Sequence, residues 1–493
     1  MAPNTAQSCQ QPSAMPRTPD LLAVPLVTQP GQPVNVAVEK GARVSQGQPL
    51  LATAHEACAN DDAVQAHAPV AGTVIGIEPR LICHSSNEPG LCALIRPAAS
   101  APHHARPDPA NWRALAASDT LFRIGSAGIV GLGGAGFPTL QKIQAGLSAK
   151  LHTLIINGVE CEPYISCDEM LMRERSERVI AGAQILGQLA GASNIFIAVE
   201  NDKRDALAAM QSAMASIESV DVELTPLPPR YPEGGERQLI QALTGKEIPS
   251  GTWPTDQGIL VQNAGTAAAV ADAVIDATPL TERYVTVTGA GLRNPRNLRV
   301  MIGTPVKDLI DYCGGLTQDA ARVIIGGPVM GHALDSLDQF TAKSTNCVLV
   351  LSHADIKDKH PEMPCIRCGD CAQVCPSRLL PQQLQWQLRT GQWQAAEAYS
   401  LNDCLECGAC DLVCPSHIPL TAWFQYGKQK IAAEHANHSA ASRARLRHEA
   451  RLRRLDRDKL ERKQRLEAKK KALRTRRKKP AGTGHEHSDR EHR

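Results

Sequence analysis

Two short cysteine runs carry the densest chemistry in this 493-residue sequence. CIRCGDCAQVCP occupies 365–376 and CLECGACDLVCP occupies 404–415, separated by a 28-residue spacer that Pro376 opens. Each reads C-x2-C-x2-C-x3-C-P, the spacing that holds [4Fe–4S] clusters in pairs. Three closely spaced thiolates wrap one corner of a cube, and the fourth, before Pro, serves the other cube. The expected ligand sets are therefore Cys365, Cys368, Cys371 and Cys414 for one cluster, and Cys404, Cys407, Cys410 and Cys375 for the second. Zinc knuckles use four ligands in two pairs, not two identical runs of four. Structural disulfides need an oxidising compartment. Two clusters in one chain imply that electrons pass through it.

A second stretch, GLGGAGFPTLQK (131–142), formally contains G-x-G-x-x-G at Gly131, Gly133 and Gly136. A lone match is weak, and Gly125 and Gly128 make the preceding LFRIGSAGIV a poor strand. Gly-rich backbone running into a helix near Pro138 can still present free N–H groups and a helix dipole to a phosphate. Lys142, one turn in, could add a cation. On these residues alone, phosphate binding and a tight packing turn both stay open.

The elements that position these residues follow from composition and periodicity. The length bounds the chain at three or four domains. Aromatics make up 3% against 43% hydrophobic residues, so the cores must be aliphatic. No long uncharged apolar window is present, and the first twenty residues have no signal-peptide pattern, which predicts a protein kept in the cytoplasm without a membrane span. Cys9, Cys58, Cys83, Cys92, Cys161, Cys167, Cys313 and Cys347 are scattered and read as small buried hydrophobes. The net charge of +3 hides an asymmetry: residues 443–479 hold 19 Lys/Arg and 5 Asp/Glu, so an acidic body at −11 carries a tail at +14. That tail reads first as a solvated charged helix, then as a segment attracted to anionic lipid. Nucleic acid ranks last, because no aromatic residues are interleaved.

The expected fold class is multidomain α/β plus α+β. Residues 1–20 read as disordered. Short strands with turns over 21–96 resemble the barrel-sandwich hybrid of biotinyl and lipoyl carriers. The stretch AHEACANDDAVQAHAPVAG, where carriers place their hairpin Lys, has none, so a structural or docking role is expected. A linker spans 97–120, with His103 and His104 read as solvated. Residues 121–280 alternate strands (151–158 and 194–201) with a helical stretch over 168–192, which predicts a doubly wound sheet. Residues 283–345 predict a β-grasp-like module of the soluble ligand-binding type. A two-cluster ferredoxin-like domain follows at 360–430, then a basic helical tail with a disordered end at 431–493.

GLGGAGFPT resembles the flavin-binding loop of the NADH-oxidising flavoprotein subunit of respiratory complex I. NGVECEPYISCDE (157–169), YPEGGERQL (231–239) and PTDQGILVQNAGTAAAV (254–270) resemble further segments of that subunit, in the same order. The whole layout from about residue 21 to 430 resembles the RnfC (also RsxC) subunit of the Rnf (Rsx) ion-translocating electron transport complexes. The resemblance implies non-covalent FMN and NADH as cofactors beside two [4Fe–4S] clusters. It also implies partner subunits in a membrane-embedded complex and a peripheral place on the cytoplasmic face of the bacterial inner membrane. For this sequence it implies Gly131, Gly133, Gly134, Gly136 and Phe137 at the flavin, Lys142 at phosphate or ribitol, and Asn157 facing the ring. It further implies Glu160 and Glu162 near the nicotinamide, Glu236 in the acidic Gly-rich stretch, and Asn263 and Thr266 at the flavin phosphate. Hydride transfer would be borne by the cofactor, with no catalytic side chain. Gly234-Gly235-Glu236 keeps only one of the two acidic residues of the complex I stretch. The alternative is an iron–sulfur wire and docking subunit without flavin or NADH.

Overall fold

The computed structural model describes residues 7–29, 32–52, 64–98, 109–217, 221–356 and 361–477. Cys58, His103, His104, much of the carrier-type hairpin and the predicted disordered end lie outside these residues.

The first body is an antiparallel sheet in the order β1-β4-β3-β2, built from β1 (Leu22–Pro25), β2 (Arg43–Val44), β3 (Gly72–Leu81) and β4 (Pro89–Pro97). Its core is aliphatic, with Leu22, Leu50, Ala68, Val74 and Ile95 buried. Residues 7–20 differ from the expected disorder. Ser8 is buried and its carbonyl accepts from Asn297 Nδ2, Arg173 donates to the Cys9 carbonyl, and Ala14 bridges to Leu298. Polar partners on other elements order an arm that composition alone marks as unstructured.

The second body contains α1 (Ala117–Ser126), α2 (Thr139–Leu147), β5 (Thr153–Gly158), α3 (Cys167–Glu174), α4 (Ser176–Ala190), β6 (Asn194–Glu200), α5 (Arg204–Ala215), β7 (Glu223–Leu227), α6 (Glu236–Thr244), β8 (Ile259–Asn263) and α7 (Ala264–Asp276). Its four strands are all parallel, in the order β7-β6-β5-β8. Alternate side chains feed opposite faces, as a sheet covered on both sides requires. Leu154 and Ile156 join the core under α3, α4 and α7, whereas Ile155 joins the core under α6. The helical stretch after β5 is not one helix. Arg175 leaves helical geometry (φ −137°) and makes a bidentate ion pair with Asp272 on α7, at 2.7 and 3.0 Å. Helix α1 already starts inside the segment read as linker.

The third body is a five-stranded sheet in the order β10-β9-β13-β11-β12, formed by β9 (Glu282–Thr288), β10 (Arg296–Met301), α8 (Val306–Tyr312), β11 (Ala320–Ile325), β12 (His332–Ala333) and β13 (Cys347–Ser352). Val306, Leu309 and Ile310 of α8 pack on one face. Strand β13 lies beyond residue 345 and is central, parallel to β9 and antiparallel to β11.

The last body holds α9 (Asp370–Gln373), α10 (Pro381–Arg389), α11 (Trp393–Ala398), α12 (Ala409–Val413) and α13 (Leu420–Arg477). Helix α13 starts inside the cysteine body, where Leu420, Phe424 and Ile431 are buried, and then runs on with its described side chains exposed. At 1.5 Å per residue its 58 residues span about 87 Å. Among the described residues, no helix is long and apolar enough to cross a membrane.

Candidate functional site

The parallel sheet dictates where a ligand can sit. Strand order reverses between β5 and β8, and in open α/β sheets the crevice lies outside the strand ends at that point. Asn157, next to the last residue of β5, and Asn263, the last of β8, are direct partners in the ladder. Asn263 also caps α7: its Oδ1 accepts from Gly265 N and Thr266 N at 2.8 and 3.3 Å, and its Nδ2 donates to Asp168 Oδ2 at 2.5 Å. The glycine-rich loop lies over this cap, since a Cβ on Gly133 would meet Asn263 at 3.6 Å. The loop closes on itself through Gly131 N–H to the Phe137 carbonyl, 2.8 Å. Leu132 N–H donates to Thr266 Oγ1 at 2.9 Å. Gly134 (φ +110°) and Gly136 (φ +66°) adopt backbone that disfavours side chains. Among the described residues, the N–H groups of Gly133, Gly134, Ala135 and Gly136 donate to no protein acceptor. Phe137 is half exposed at the end of this row. Free amides facing a helix N-terminus fit a phosphate.

Other expected site residues have internal partners. Lys142 and Glu236 meet each other in an ion pair of 2.7 Å. Asn157 donates to the Gly234 carbonyl and accepts from Val159 N. Glu162 Oε1 accepts from Val329 N and Met330 N at 2.9 and 3.0 Å, and the Tyr231 hydroxyl faces the same carboxylate. Thr266 is fully buried and holds the loop from beneath. Glu160 receives the first N–H groups of α3, from Asp168 and Glu169 at 2.9 and 3.1 Å. This is the favourable place for a carboxylate on a helix.

Glu160 and Asp168 share one half-buried patch with the buried Cys167. Burial, then the charge of Asp168, pushes Glu160 up to about 8, and burial raises Asp168. Unfolding above the ordinary carboxylate range therefore releases a proton that the folded pair retains, so stability falls as pH rises from about 4.5 towards about 8. The melting temperature of this domain is expected to drop by about 2–5 °C between pH 6 and pH 8.5 in calorimetry. Glu160→Gln should flatten that slope, and a slope unchanged in this variant would contradict the assignment.

The cysteines gather in two groups. One small void is lined by Cys365, Cys368, Cys371 and Cys414, and another by Cys375, Cys404, Cys407 and Cys410. The two loops repeat each other in backbone: Arg367 and Glu406, Gly369 and Gly408, and Arg378 and His417 all have positive φ. Backbone N–H groups point at sulfur, from Arg367 to Cys365, from Leu379 to Cys375 and from Glu406 to Cys404, at 3.3–3.4 Å. Such bonds stabilise thiolates and tune bound clusters, so the donor set fits [4Fe–4S] at both voids. The groups differ in setting. Cys365 and Cys368 are exposed, beside exposed Ile366 and Met363. The second group abuts the other bodies: Tyr231 Oη donates to the Cys407 carbonyl at 3.0 Å, Arg237 pairs with Asp403 at 3.1 Å, and Gly408 lies against Val329. Tyr231 and Arg237 fall within YPEGGERQL, yet no local pattern in the sequence marks them as the seam between domains.

A parallel α/β domain with a phosphate-type loop at its switch point, joined to a body of two four-cysteine groups, defines an iron–sulfur-type protein with a phosphate-ligand crevice. Four family models match in that order: "RnfC Barrel sandwich hybrid domain" over 2–98, "Nuo51 FMN-binding domain" over 124–272, "SLBB domain" over 284–333 and "4Fe-4S dicluster domain" over 364–418. The chain is 42% identical over 456 residues to the C subunit of the ion-translocating oxidoreductase complex of Yersinia pestis bv. Antiqua, covering 92% of this chain and 72% of that one. Like-named relatives from Serratia proteamaculans and Erwinia tasmaniensis are 41% and 40% identical over 93% and 90% of the chain. The chain belongs to this family, the RnfC subunits of ion-translocating oxidoreductase complexes. It spans 64% and 54% of the length of the Serratia and Erwinia relatives. A solved NAD+-reducing [NiFe]-hydrogenase in the H2-reduced state is 20% identical at a TM-score of 0.45, covering 64% of this chain and 61% of that one.

Proposed function

We propose that this chain exchanges electrons between NADH and a membrane-embedded complex through non-covalent FMN and two [4Fe–4S] clusters. The observation that carries this is the continuity from the loop at the β5–β8 switch point, through the 231–237 segment, to the carbonyl of Cys407. Flavin, when bound, would accept one hydride, that is two electrons, and release those electrons one at a time. The chain's own residues do the rest. Gly133 to Gly136 present amides to the phosphate, and the N-terminus of α7 adds its dipole. Glu162, held by the Val329 and Met330 amides and faced by Tyr231, is the carboxylate offered to the nicotinamide carboxamide or a ribose hydroxyl. Cys375, Cys404, Cys407 and Cys410 hold the flavin-side cluster. Cys365, Cys368, Cys371 and Cys414 hold the outer one, whose exposure suits transfer to another protein of the complex.

The internal pairing of Lys142, Asn157, Glu160, Glu236, Asn263 and Thr266 favours a second reading, a flavin-free wire that takes electrons from another protein. Anaerobically reconstituted protein separates the two. Retained FMN at about one per chain, about eight iron atoms, and bleaching of both chromophores by NADH are expected. Protein with full iron, no flavin and no response to NADH would leave only the wire.

For place and partners, we infer a peripheral position on the cytoplasmic face, with other subunits of the complex as partners and anionic lipid facing the basic part of α13. A Lys or Arg near an anionic surface contributes roughly 1 kcal/mol, screened by salt. Truncation after residue 435 is expected to cut binding to phosphatidylglycerol-containing vesicles at least about tenfold at low salt. Full-length protein should release from the same vesicles as salt rises, and equal binding of both forms would reject lipid as the tail's partner.

A further inference from the structure

The third body enters the reading above only through Val329 and Met330, yet another of its side chains reaches the glycine loop. Arg283, near the start of β9, is buried at 6% exposure. Its guanidinium donates to three carbonyls: Leu132 at 2.9 Å, Lys343 at 2.5 Å and Tyr284 at 3.1 Å. Leu132 is the loop residue whose N–H is taken by Thr266, so both sides of this residue are held from outside the loop. Lys343 begins the segment that backs the loop. A Cβ on Gly136 would lie 3.4 Å from Ser344, and one on Gly134 would lie 3.7 Å from the Asn346 amide. Lys343 is itself anchored, its Nζ donating to the carbonyls of Gln65 and Gly128 at 2.6 and 2.7 Å. A planar fork that spans two carbonyls is a task for Arg rather than Lys. Cys167, Asp168 and Glu160 lie beside this guanidinium.

We infer that Arg283 is a positioning residue for phosphate recognition: by tying Leu132 to the 343–346 backing segment, it sets the direction of the free Gly133–Gly136 amides. The inference rests on the flavin reading above and assigns the third body a role in it. Arg283 touches no ligand, so its loss should act on the phosphate and not on the ring. That gives a readout that general loosening would not produce, the ratio of riboflavin to FMN dissociation constants.

The test is flavin-fluorescence titration of anaerobically reconstituted full-length protein with FMN and with riboflavin. Wild type should prefer FMN. Arg283→Met should weaken FMN by about 10- to 100-fold and riboflavin by less than about threefold, with iron content unchanged. Arg299→Met, on the neighbouring strand and away from the loop, should match wild type. No FMN preference in wild type would refute the flavin reading itself. A wild-type preference that Arg283→Met retains, or an equal loss of both flavins, would overturn the inference. Should Arg283→Met fail to fold, Arg283→Lys decides: it keeps the charge but cannot span Leu132 and Lys343, and an undiminished FMN preference in it would also overturn the inference.

Discussion

Cys407→Ala is expected to abolish NADH-driven reduction of both clusters, whereas Cys368→Ala is expected to abolish only one of the two signals. Each change removes a thiolate from one group of four, and the methyl left behind cannot bind iron. Iron should fall from about eight per chain towards about four or seven, according to whether the cube is lost or stripped of one iron. The variants part ways because their groups sit differently. Cys407 belongs to the group whose loop receives the Tyr231 hydroxyl and the Arg237 ion pair from the α/β body. Cys368 is exposed on the far group. Electrons arriving from the switch-point crevice should therefore need the Cys407 group first. Dithionite reaches any exposed cluster and serves as the control, since in Cys407→Ala it should still reduce the cluster that NADH no longer reaches. EPR of the reduced forms reads the outcome. Equal NADH reduction in the two variants would mean that the contacts at Cys407 do not set the order.

How much of this is legible in the sequence depends on whether the signal is local. The cysteine runs are readable because three of each four ligands sit within seven residues, and the structure gathers them in two groups of four. The alternation of apolar strands and helices points to the parallel sheet, since Leu154, Ile155 and Ile156 are buried on both faces. The break at Arg175 is not readable, because the helical spacing continues across it and the partner of Arg175, Asp272, lies far along the chain. The same holds for the arm at 7–20, held by Ser166, Asn297 and Glu174. Lys142 looks free to meet a ligand because nothing local opposes it, yet the fold places Glu236 at 2.7 Å. The central place of strand β13 is not readable from CVLVLS, because its pairing partners β9 and β11 lie far back along the chain. Arg283 is equally hidden, since its partners lie on two distant segments.

The glycine loop offers a way to separate ligand binding from folding, because its glycines are glycine for different reasons. A Cβ on Gly128 would stand 2.1 Å from the Gln65 carbonyl and 2.8 Å from the Lys343 ammonium, so Gly128→Ala must open the seam between the first two bodies. A Cβ on Gly134 meets only the Asn346 amide at 3.7 Å, an ordinary contact. What Gly134→Ala cannot keep is φ +110°, which lies outside even the left-handed region that other residues tolerate. The strain of roughly 1–3 kcal/mol is relieved by turning the peptide, and that turns the neighbouring amides away from the crevice. Gly134→Ala is therefore expected to hold less than about a tenth of the wild-type FMN after gel filtration, with full iron and a melting temperature within about 4 °C of wild type. Dithionite should reduce its clusters normally while NADH fails to. Gly128→Ala should show the reverse order of effects, with melting temperature falling before flavin preference changes. Full flavin in a folded Gly134→Ala protein would show that the loop is only a packing turn, and the wire reading would then stand.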